Sequence, residues 1–211
     1  MVLRRRGSFV WVIALPAQCL FARQGGRRAL KTFTKARAFV QNTQYAQDRQ
    51  DALAALDLES IDAPILDIVA GFTSLPHCFT LQCCYGHFFC APEQSPRNLE
   101  PIAAGCCGAV TYRIAYLAWC LENNPRGSAL REALARVPAV APGYVQFGSA
   151  DWFWERWPNS YALQVEPVAH RLKDEAVLEP AEAIRTQKAR ELFFDEIRAL
   201  LAAEARDHFA G

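Results

Sequence analysis

The sequence has no strong excess of charge of either sign and no apolar run long enough to cross a membrane. Its 211 residues carry 23 lysines and arginines against 22 acidic residues, a formal net charge of +1, so no global field draws the chain toward nucleic acid. The apolar run at 9–21 is shorter than the roughly 20 residues of a spanning helix. These features predict a protein with no membrane partner, located in the cytoplasm.

Three common nucleotide-binding and catalytic motifs are also missing. No G-x-G-x-x-G follows a strand-like segment and no Walker-type loop occurs, so a Rossmann nucleotide site has no support. The G-x-S-x-G elbow is absent as well. Any chemistry must therefore come from other residue patterns.

The N-terminal residues differ from the rest of the chain. Arg4–Arg6 precede the apolar run in the manner of a signal peptide, but Pro16 and Gln18 interrupt that run. We expect residues 1–29 to be an extension that is disordered, wrongly assigned or signal-like. We expect residues 30–211 to form a single mixed α/β domain, since this length and a hydrophobic share of 52% suit one core.

Apolar periodicity predicts both helices and strands. Helices are expected at Phe33–Leu56, from Asp62 as a cap to Ser74, at Ile102–Asn123, at Ser128–Val137, and from Pro180 onward, where Ile184, Leu192, Phe193, Ile197, Leu200 and Leu201 would form one apolar face. Strands are expected at Phe79–Cys83, Phe88–Cys90, Tyr144–Phe147 and Tyr161–Val165, with Ala169–Leu172 as a further candidate. Strands interleaved with helices favour an α/β or α+β fold, a mixed sheet with flanking helices that is not a Rossmann fold.

The densest group of reactive side chains is the segment His77–Cys90, which holds four of the eight cysteines and two histidines. A thiol and an imidazole on opposite sides of the Tyr85-Gly86 turn can meet, and an imidazolium would lower the pKa of the thiol. We therefore predict that Gln82–His87 is the functional centre. The alternative is strand alternation, in which these thiols only fill the core.

Thiols and imidazoles also suit zinc, but the spacing in this segment is not that of paired ligands. The gap from Cys78 to Cys83 is too wide, and Cys83 and Cys84 are adjacent. Adjacent cysteines are also poorly placed for a disulfide, so most thiols are expected to be reduced and buried. No residue is assigned as a metal ligand, although a thiol- or metal-dependent protein stays open as an alternative.

Two further segments are candidates for function. Glu166 and His170 follow the predicted strand Tyr161–Val165 and would place a carboxylate beside an imidazole. The aromatic run Trp152–Trp157 could stack on a base, or fill a core or an interface. A non-enzymatic interaction module is thus a third alternative.

Two stretches of the chain carry short motifs in the order of a known family. Ser60–Asp62 begins a helix, 75–80 reads Leu-Pro-x-x-Phe-Thr, and Cys84 and Gly86 keep two positions of a Ser-Ser-Cys-Ser-Gly-Arg turn in which His87 replaces the arginine. An apolar strand then ends in Glu-Pro, with a histidine soon after. These motifs resemble those of the wybutosine-synthesising tRNA methyltransferases.

The resemblance implies methyl transfer from S-adenosylmethionine to a tRNA base in a non-Rossmann fold. Carried over residue by residue, it implies a small-molecule site in which some residues are catalytic and others bind the cofactor. The catalytic set is Cys84, His87, Glu166 and His170, and the cofactor-binding set is Gly86, Ser60 and Asp62.

Overall fold

The computed structural model describes residues 35–91, 94–95, 97–103, 105–170 and 174–209. Within them, the α-helices are α1 (Tyr45–Ala54), α2 (Leu66–Ser74), α3 (Pro125–Arg136), α4 (Asp151–Trp154) and α5 (Pro180–Phe209). The strands are β1 (Cys78–Cys84), β2 (His87–Phe89), β3 (Val110–Arg113), β4 (Ala115–Leu121), β5 (Val145–Ser149), β6 (Ser160–Val165) and β7 (Glu175–Leu178). Short 3₁₀ turns occupy Leu58–Ser60, Ala63–Ile65, Val137–Val140 and Val168–His170. The extension predicted at 1–29 lies outside the described residues.

The described strands form two antiparallel sheets. The larger has the order β1-β4-β6-β5, and the smaller has the order β2-β3-β7. The fold is therefore α+β and has no Rossmann-like parallel sheet among the described strands, which confirms the predicted fold class. The pairing is more uniform than the mixed sheet we expected, since every pairing among the described strands is antiparallel.

One bent ribbon joins the two sheets. Strands β1 and β2 follow each other in the chain, as do β3 and β4. Strand β1 pairs with β4, where Cys84 lies opposite Tyr116, and β2 pairs with β3, where His87 lies opposite Arg113. The bend falls at Gly86, whose φ is +88°. A Cβ at this position would lie 2.8 Å from the Cβ of Ala115 and 2.9 Å from its backbone nitrogen. Glycine is therefore required on two counts, the left-handed conformation and the close approach.

Helices α2 and α5 pack against one face of the larger sheet. The four apolar residues of the stripe predicted around α2 are fully buried: Ile65, Ile68, Val69 and Phe72. Phe193 and Ile197 of α5 join them in the main core, as do Trp119 and Leu117 of β4. No helix formed by the described residues, α5 included, combines the length and the apolarity that a membrane span requires.

The helix predicted at Ile102–Asn123 is wrong, because the segment forms β3 and β4. Six of the seven residues of β4 are buried, on both faces of the strand. A strand covered on both faces reads as a continuous apolar run, without the alternation that identifies a half-exposed strand. The spacing of its apolar residues therefore matched a helix by coincidence.

Other predicted elements have shifted bounds. The helix expected at Phe33–Leu56 is reduced to α1, because residues before it lie across the sheet instead: Val40 N–H donates to Asn159 Oδ1 at 2.8 Å. Helix α3 starts at Pro125 and is capped by Asn124 rather than Ser128. The strand considered at Ala169–Leu172 is a 3₁₀ turn in its described part, and β7 follows later.

Candidate functional site

Three side chains with chemically reactive groups meet where the two sheets join. Asp62 lies in the link before α2, Cys84 ends β1, and His87 begins β2. A carboxylate oxygen, the thiol sulfur and a ring nitrogen lie within 4.8 Å of one another. We call these three residues the junction cluster. The bend at Gly86 produces the cluster because it turns the chain back between the thiol and the imidazole.

The Asp62 carboxylate faces the turn rather than the helix that follows it. Its side chain makes no capping hydrogen bond, so the cap predicted from the sequence is wrong. Instead Oδ2 accepts a hydrogen bond from the Tyr85 backbone N–H at 2.8 Å and lies 3.3 Å from His87 Nε2. An aspartate beside an imidazole and a backbone donor is better satisfied than one at a short 3₁₀ turn, since both contacts favour its ionised form.

His87 is almost completely buried and is held on both sides of its ring. Nδ1 lies 3.0 Å from the carbonyl oxygen of Asn98, while Nε2 faces Asp62. Burial lowers the pKa of His87, but the Asp62 carboxylate, the Cys84 thiol and the Asn98 carbonyl together outweigh it and raise this pKa to about 10. Burial raises the pKa of Asp62, but the contacts with His87 and the Tyr85 N–H outweigh burial and bring this pKa below its ordinary value. At neutral pH the two groups are an imidazolium and a carboxylate.

Cys84 is the thiol that faces this imidazole. Its sulfur accepts a hydrogen bond from the Gly86 N–H at 3.4 Å, and 8% of the residue is exposed. Burial raises the pKa of the neighbouring Cys83 thiol to about 12 and raises that of Cys78 as well. Those two cysteines stay protonated at neutral pH and act as core residues.

An arginine of α5 holds the turn between the thiol and the imidazole. Arg190 is 2% exposed, and its NH1 donates to the Gly86 carbonyl at 2.8 Å. Its guanidinium carbon lies 4.1 Å from the centre of the Tyr85 ring and 5.1 Å from that of Phe88. Arg190 was not predicted from the sequence, because α5 was interpreted only through its apolar face. An arginine among apolar positions of an amphipathic helix was the available signal.

The remaining predicted site residues lie outside the junction cluster. Glu166 is fully buried, and its Oε1 accepts from Gln164 Nε2 at 2.7 Å. Its charge helps to raise the pKa of the buried Tyr112, after the larger effect of burial. The Ser60 hydroxyl donates to the Asp57 carbonyl at 2.8 Å on the surface. His170 is within electrostatic range of Glu182 at the start of α5.

A cleft opens on the same face of the smaller sheet as His87. It has a volume of about 380 Å³ and is lined by Phe89, Cys90, Ala91, Gln94, Ala109, Thr111, Arg113 and Glu175. Arg113 is the strand partner of His87, so both side chains point to this face. Arg113 NH2 lies 3.0 Å from Glu175 Oε1. This cleft was not predicted from the sequence, because a helix was expected here, although Val110–Arg113 alternates in the way of a strand.

The aromatic run at 152–157 is partly surface and partly packing. Trp152 is 38% exposed, whereas Trp154 packs edge-on against Tyr161 with ring centres 5.6 Å apart. Arg156 lies over Trp157 at 4.1 Å. The run thus supports the fold at Trp154 and offers one indole to solvent.

Compared with family models and with curated proteins, the chain gives no match. Its function is therefore inferred from its own residues and their geometry. The resemblance to the wybutosine-synthesising methyltransferases stays a prediction.

Proposed function

We propose that this chain is a divergent relative of the S-adenosylmethionine-dependent tRNA-base methyltransferases of wybutosine synthesis, with its reactive centre at the junction cluster. One observation carries the proposal. Asp62, Cys84 and His87, which the motif resemblance assigns to one pocket, come from separate segments and lie within 4.8 Å of one another. His87 pairs across the strands with Arg113 and stacks near Phe89, and these two residues line a cleft of about 380 Å³, within the usual range for small-molecule sites.

The cleft has the charges that the amino-acid part of S-adenosylmethionine needs. That part of the cofactor carries a carboxylate and an ammonium group, and the cleft offers the Arg113 guanidinium and the Glu175 carboxylate side by side. A guanidinium binds a carboxylate through two parallel hydrogen bonds. Arg113 also places a guanidinium on the same face as His87, the residue that replaces the family's arginine. Phe89 supplies a flat apolar surface for the adenine.

The protonation states assign different roles to the two ionised groups. His87, with a pKa raised to about 10, is a hydrogen-bond donor at neutral pH and not a base. Asp62 is ionised and accepts a hydrogen bond from the nitrogen that is to be methylated. Bound S-adenosylmethionine would supply the methyl group, and Asp62 would carry the proton of the methylated nitrogen to solvent. Alignment of the two reactants supplies most of the rate.

The acceptor in this proposal is a base of tRNA, and the compartment is the cytoplasm. Because the formal net charge of +1 gives no global field toward RNA, contact with tRNA would be confined to a short stretch around the acceptor nucleotide. The described cysteines carry free thiols, which suits a reducing compartment: Cys78, Cys83, Cys84, Cys90, Cys106, Cys107 and Cys120.

Calorimetric titration of S-adenosylmethionine into the full chain tests the proposal. We expect saturable binding that Arg113→Ala weakens about 10-fold or more, because it removes a charge-assisted contact worth about 1.5–3 kcal/mol. Arg185→Ala is the matched control, since Arg185 also pairs with a glutamate but lies exposed on α5. It should leave the affinity unchanged.

Transfer of an isotopically labelled methyl group to bulk tRNA completes this test. Label should enter the RNA with the unaltered protein and fall sharply with Asp62→Asn. Absence of heat from a folded sample, or an equal loss in the Arg113 and Arg185 variants, would rule the proposal out and leave a resemblance of fold alone.

A further inference from the structure

We infer that the junction cluster is a three-ligand site for a divalent metal ion of the zinc type, which replaces the metal-free ion pair of His87 and Asp62; this inference does not rest on the binding of S-adenosylmethionine. The cluster offers one carboxylate oxygen, one sulfur and one imidazole nitrogen within 4.8 Å of one another. This mixture of donors suits zinc, which binds Cys, His and Asp together. Residue spacing along the chain does not reveal this site. Asp62 lies outside the cysteine-rich segment His77–Cys90, and Cys84 is the one thiol of that segment in the cluster.

The distance between the nitrogen and oxygen donors fits a shared ion. His87 Nε2 and Asp62 Oδ2 are 3.3 Å apart. A direct charge-assisted N–H···O bond is shorter, about 2.7–2.9 Å. Two ligands held about 2.1 Å from one tetrahedral metal lie about 3.4 Å apart. The spacing of the pair is thus that of two neighbouring ligands.

Each ligand also has an outer partner that fixes its orientation. His87 Nδ1 donates to the Asn98 carbonyl at 3.0 Å, and this bond leaves the Nε2 lone pair for a metal. Asp62 Oδ2 accepts from the Tyr85 N–H at 2.8 Å, and Cys84 Sγ accepts from the Gly86 N–H at 3.4 Å. All three outer partners are backbone groups of two short segments, so the ligands are oriented before the ion arrives.

The surroundings leave an entry side and an open coordination position. The Asp62 side chain is 18% exposed and that of His87 is 5% exposed, so an ion reaches the cluster past the carboxylate. Three protein ligands leave a fourth position for water or substrate, which is the pattern of catalytic and not structural zinc. The carboxylate and the thiolate balance the two charges of the ion, and its binding releases the protons of the imidazolium and the thiol. Arg190 on the Gly86 carbonyl holds the turn that carries two of the ligands.

Titration of metal-stripped full chain with Co²⁺ alone tests this inference. Cobalt reports its own ligands, because a thiolate gives a charge-transfer band in the near ultraviolet and a tetrahedral site gives intense visible bands. We expect both bands to saturate at one ion per chain. Zinc should then displace cobalt and abolish both bands.

Cys84→Ser is the diagnostic variant and Cys83→Ser is its matched control. The two residues are adjacent, yet Cys83 lies outside the cluster, so only Cys84→Ser should remove the charge-transfer band. Asp62→Asn, which preserves the shape of the side chain, should weaken cobalt binding about 10-fold or more. Circular dichroism of each variant establishes that it is folded.

Thermal unfolding gives an independent measurement. Zinc at a hundred times its Kd should raise the melting temperature of the unaltered chain and of Cys83→Ser by about 5–10 °C, and that of Cys84→Ser much less. The inference is overturned if folded protein gives no cobalt bands, or if Cys84→Ser keeps the same charge-transfer band. Because no S-adenosylmethionine is present, this result is separate from that of the methyltransferase test.

Discussion

Gly86 and Gly143 have nearly the same backbone conformation in very different surroundings. Their φ angles are +88° and +87°. A Cβ at Gly86 would meet the backbone of Ala115 at 2.9 Å, whereas a Cβ at Gly143 would find no atom within 4 Å. Comparison of the two positions separates the cost of the left-handed conformation from the cost of steric contact at the bend.

Alanine at each of these glycines should destabilise the protein to a different extent. Gly143→Ala should lower the free energy of unfolding by about 1–2 kcal/mol, the cost of a left-handed alanine. Gly86→Ala should lower it by about 3 kcal/mol or more, because contact with Ala115 adds an overpacking cost. Urea unfolding of both variants measures the difference. Equal losses would show that the ribbon has room at its bend.

The carboxylate of Asp62 should control the protonation of His87 in metal-free protein. Asp62→Asn should lower the pKa of His87 from about 10 by about 1–3 units, because burial continues to lower it and a main opposing charge is gone. The ring C–H resonance of His87, followed by NMR as the pH is changed, measures this value. Asp67→Asn is the matched control, since that aspartate pairs with Arg198 instead.

The same contact makes stability depend on pH in a definite direction. The folded pKa of His87 is above the ordinary value of 6.5. The stabilisation is therefore complete between the ordinary pKa of Asp62, 3.8, and about pH 6.5, is lost as the pH rises through about 10, and is also lost at acid pH as Asp62 takes up a proton. Asp62→Asn should flatten this dependence, and an unchanged pH profile would contradict the assignment of the ion pair.

At the level of elements, α5 was predicted correctly as a helix, but the residues of its buried face were predicted incorrectly. Its extent agrees with the sequence prediction, and Phe193 is fully buried. Yet Ile184 and Leu192, assigned to the same apolar face, are 47% and 51% exposed. The buried side instead includes Ala183, Ala189 and Arg190, small or charged residues that hydrophobicity alone does not select.

Two adjacent substitutions distinguish the observed face from the predicted one. Phe193→Ala should lower the free energy of unfolding by about 3–5 kcal/mol, because it leaves a cavity in the main core. Leu192→Ala should change it by about 0.5 kcal/mol, as expected for an exposed position. Chemical denaturation of the two variants tests this directly. Similar losses at both positions would place Leu192 in the core.

The elements that were predicted correctly have a local signal. Helix α2 has a complete amphipathic stripe. Strand β6 is a short, mostly apolar run that ends shortly before a proline. The segment that became β4 has no such signal, since it is covered on both faces. Its identity as a strand comes from pairing with β1 and β6 on either side, which are contacts that a local pattern does not contain.

The candidate site, too, could be predicted from the sequence only where its signal is local. Cys84 and His87 are close in the chain, and a glycine turn between them is a local signal that the sequence shows. Arg113 and Arg190 reach the site through strand pairing and helix docking, so the local sequence shows which kind of element each belongs to but not that the two lie at the site. Ser60, taken from a motif position, and His170, taken from its place after a strand beside Glu166, make their contacts elsewhere.

At the scale of the whole molecule, Asn159 ties the first described segment to the far end of the larger sheet. It is fully buried with φ of +68°. Its Oδ1 accepts from the Val40 N–H at 2.8 Å, and its Nδ2 donates to the Val40 carbonyl at 2.9 Å. One side chain thus pairs both backbone groups of Val40, in a segment that joins no sheet.

Loss of this side chain should release the segment. Asn159→Ala should cost about 3–4 kcal/mol, because two backbone groups lose their partner and alanine adopts a left-handed conformation. Asn159→Gly, which removes only the second cost, should be about 1 kcal/mol less harmful. In both variants trypsin should cut after Arg37 faster than in the unaltered protein. An unchanged rate of cleavage would show that the segment is held by other contacts.

The hydrogen bond from Arg190 to the Gly86 carbonyl also has a consequence for the timing of biosynthesis. It joins residues 104 positions apart. At about 5–20 residues per second, the ribosome needs about 5–20 s to add that length of chain. During this interval the thiol and the imidazole have left the ribosome while the arginine that secures their turn does not yet exist. A nascent chain halted before α5 should therefore react with an alkylating reagent at Cys84, whereas the completed protein protects that sulfur.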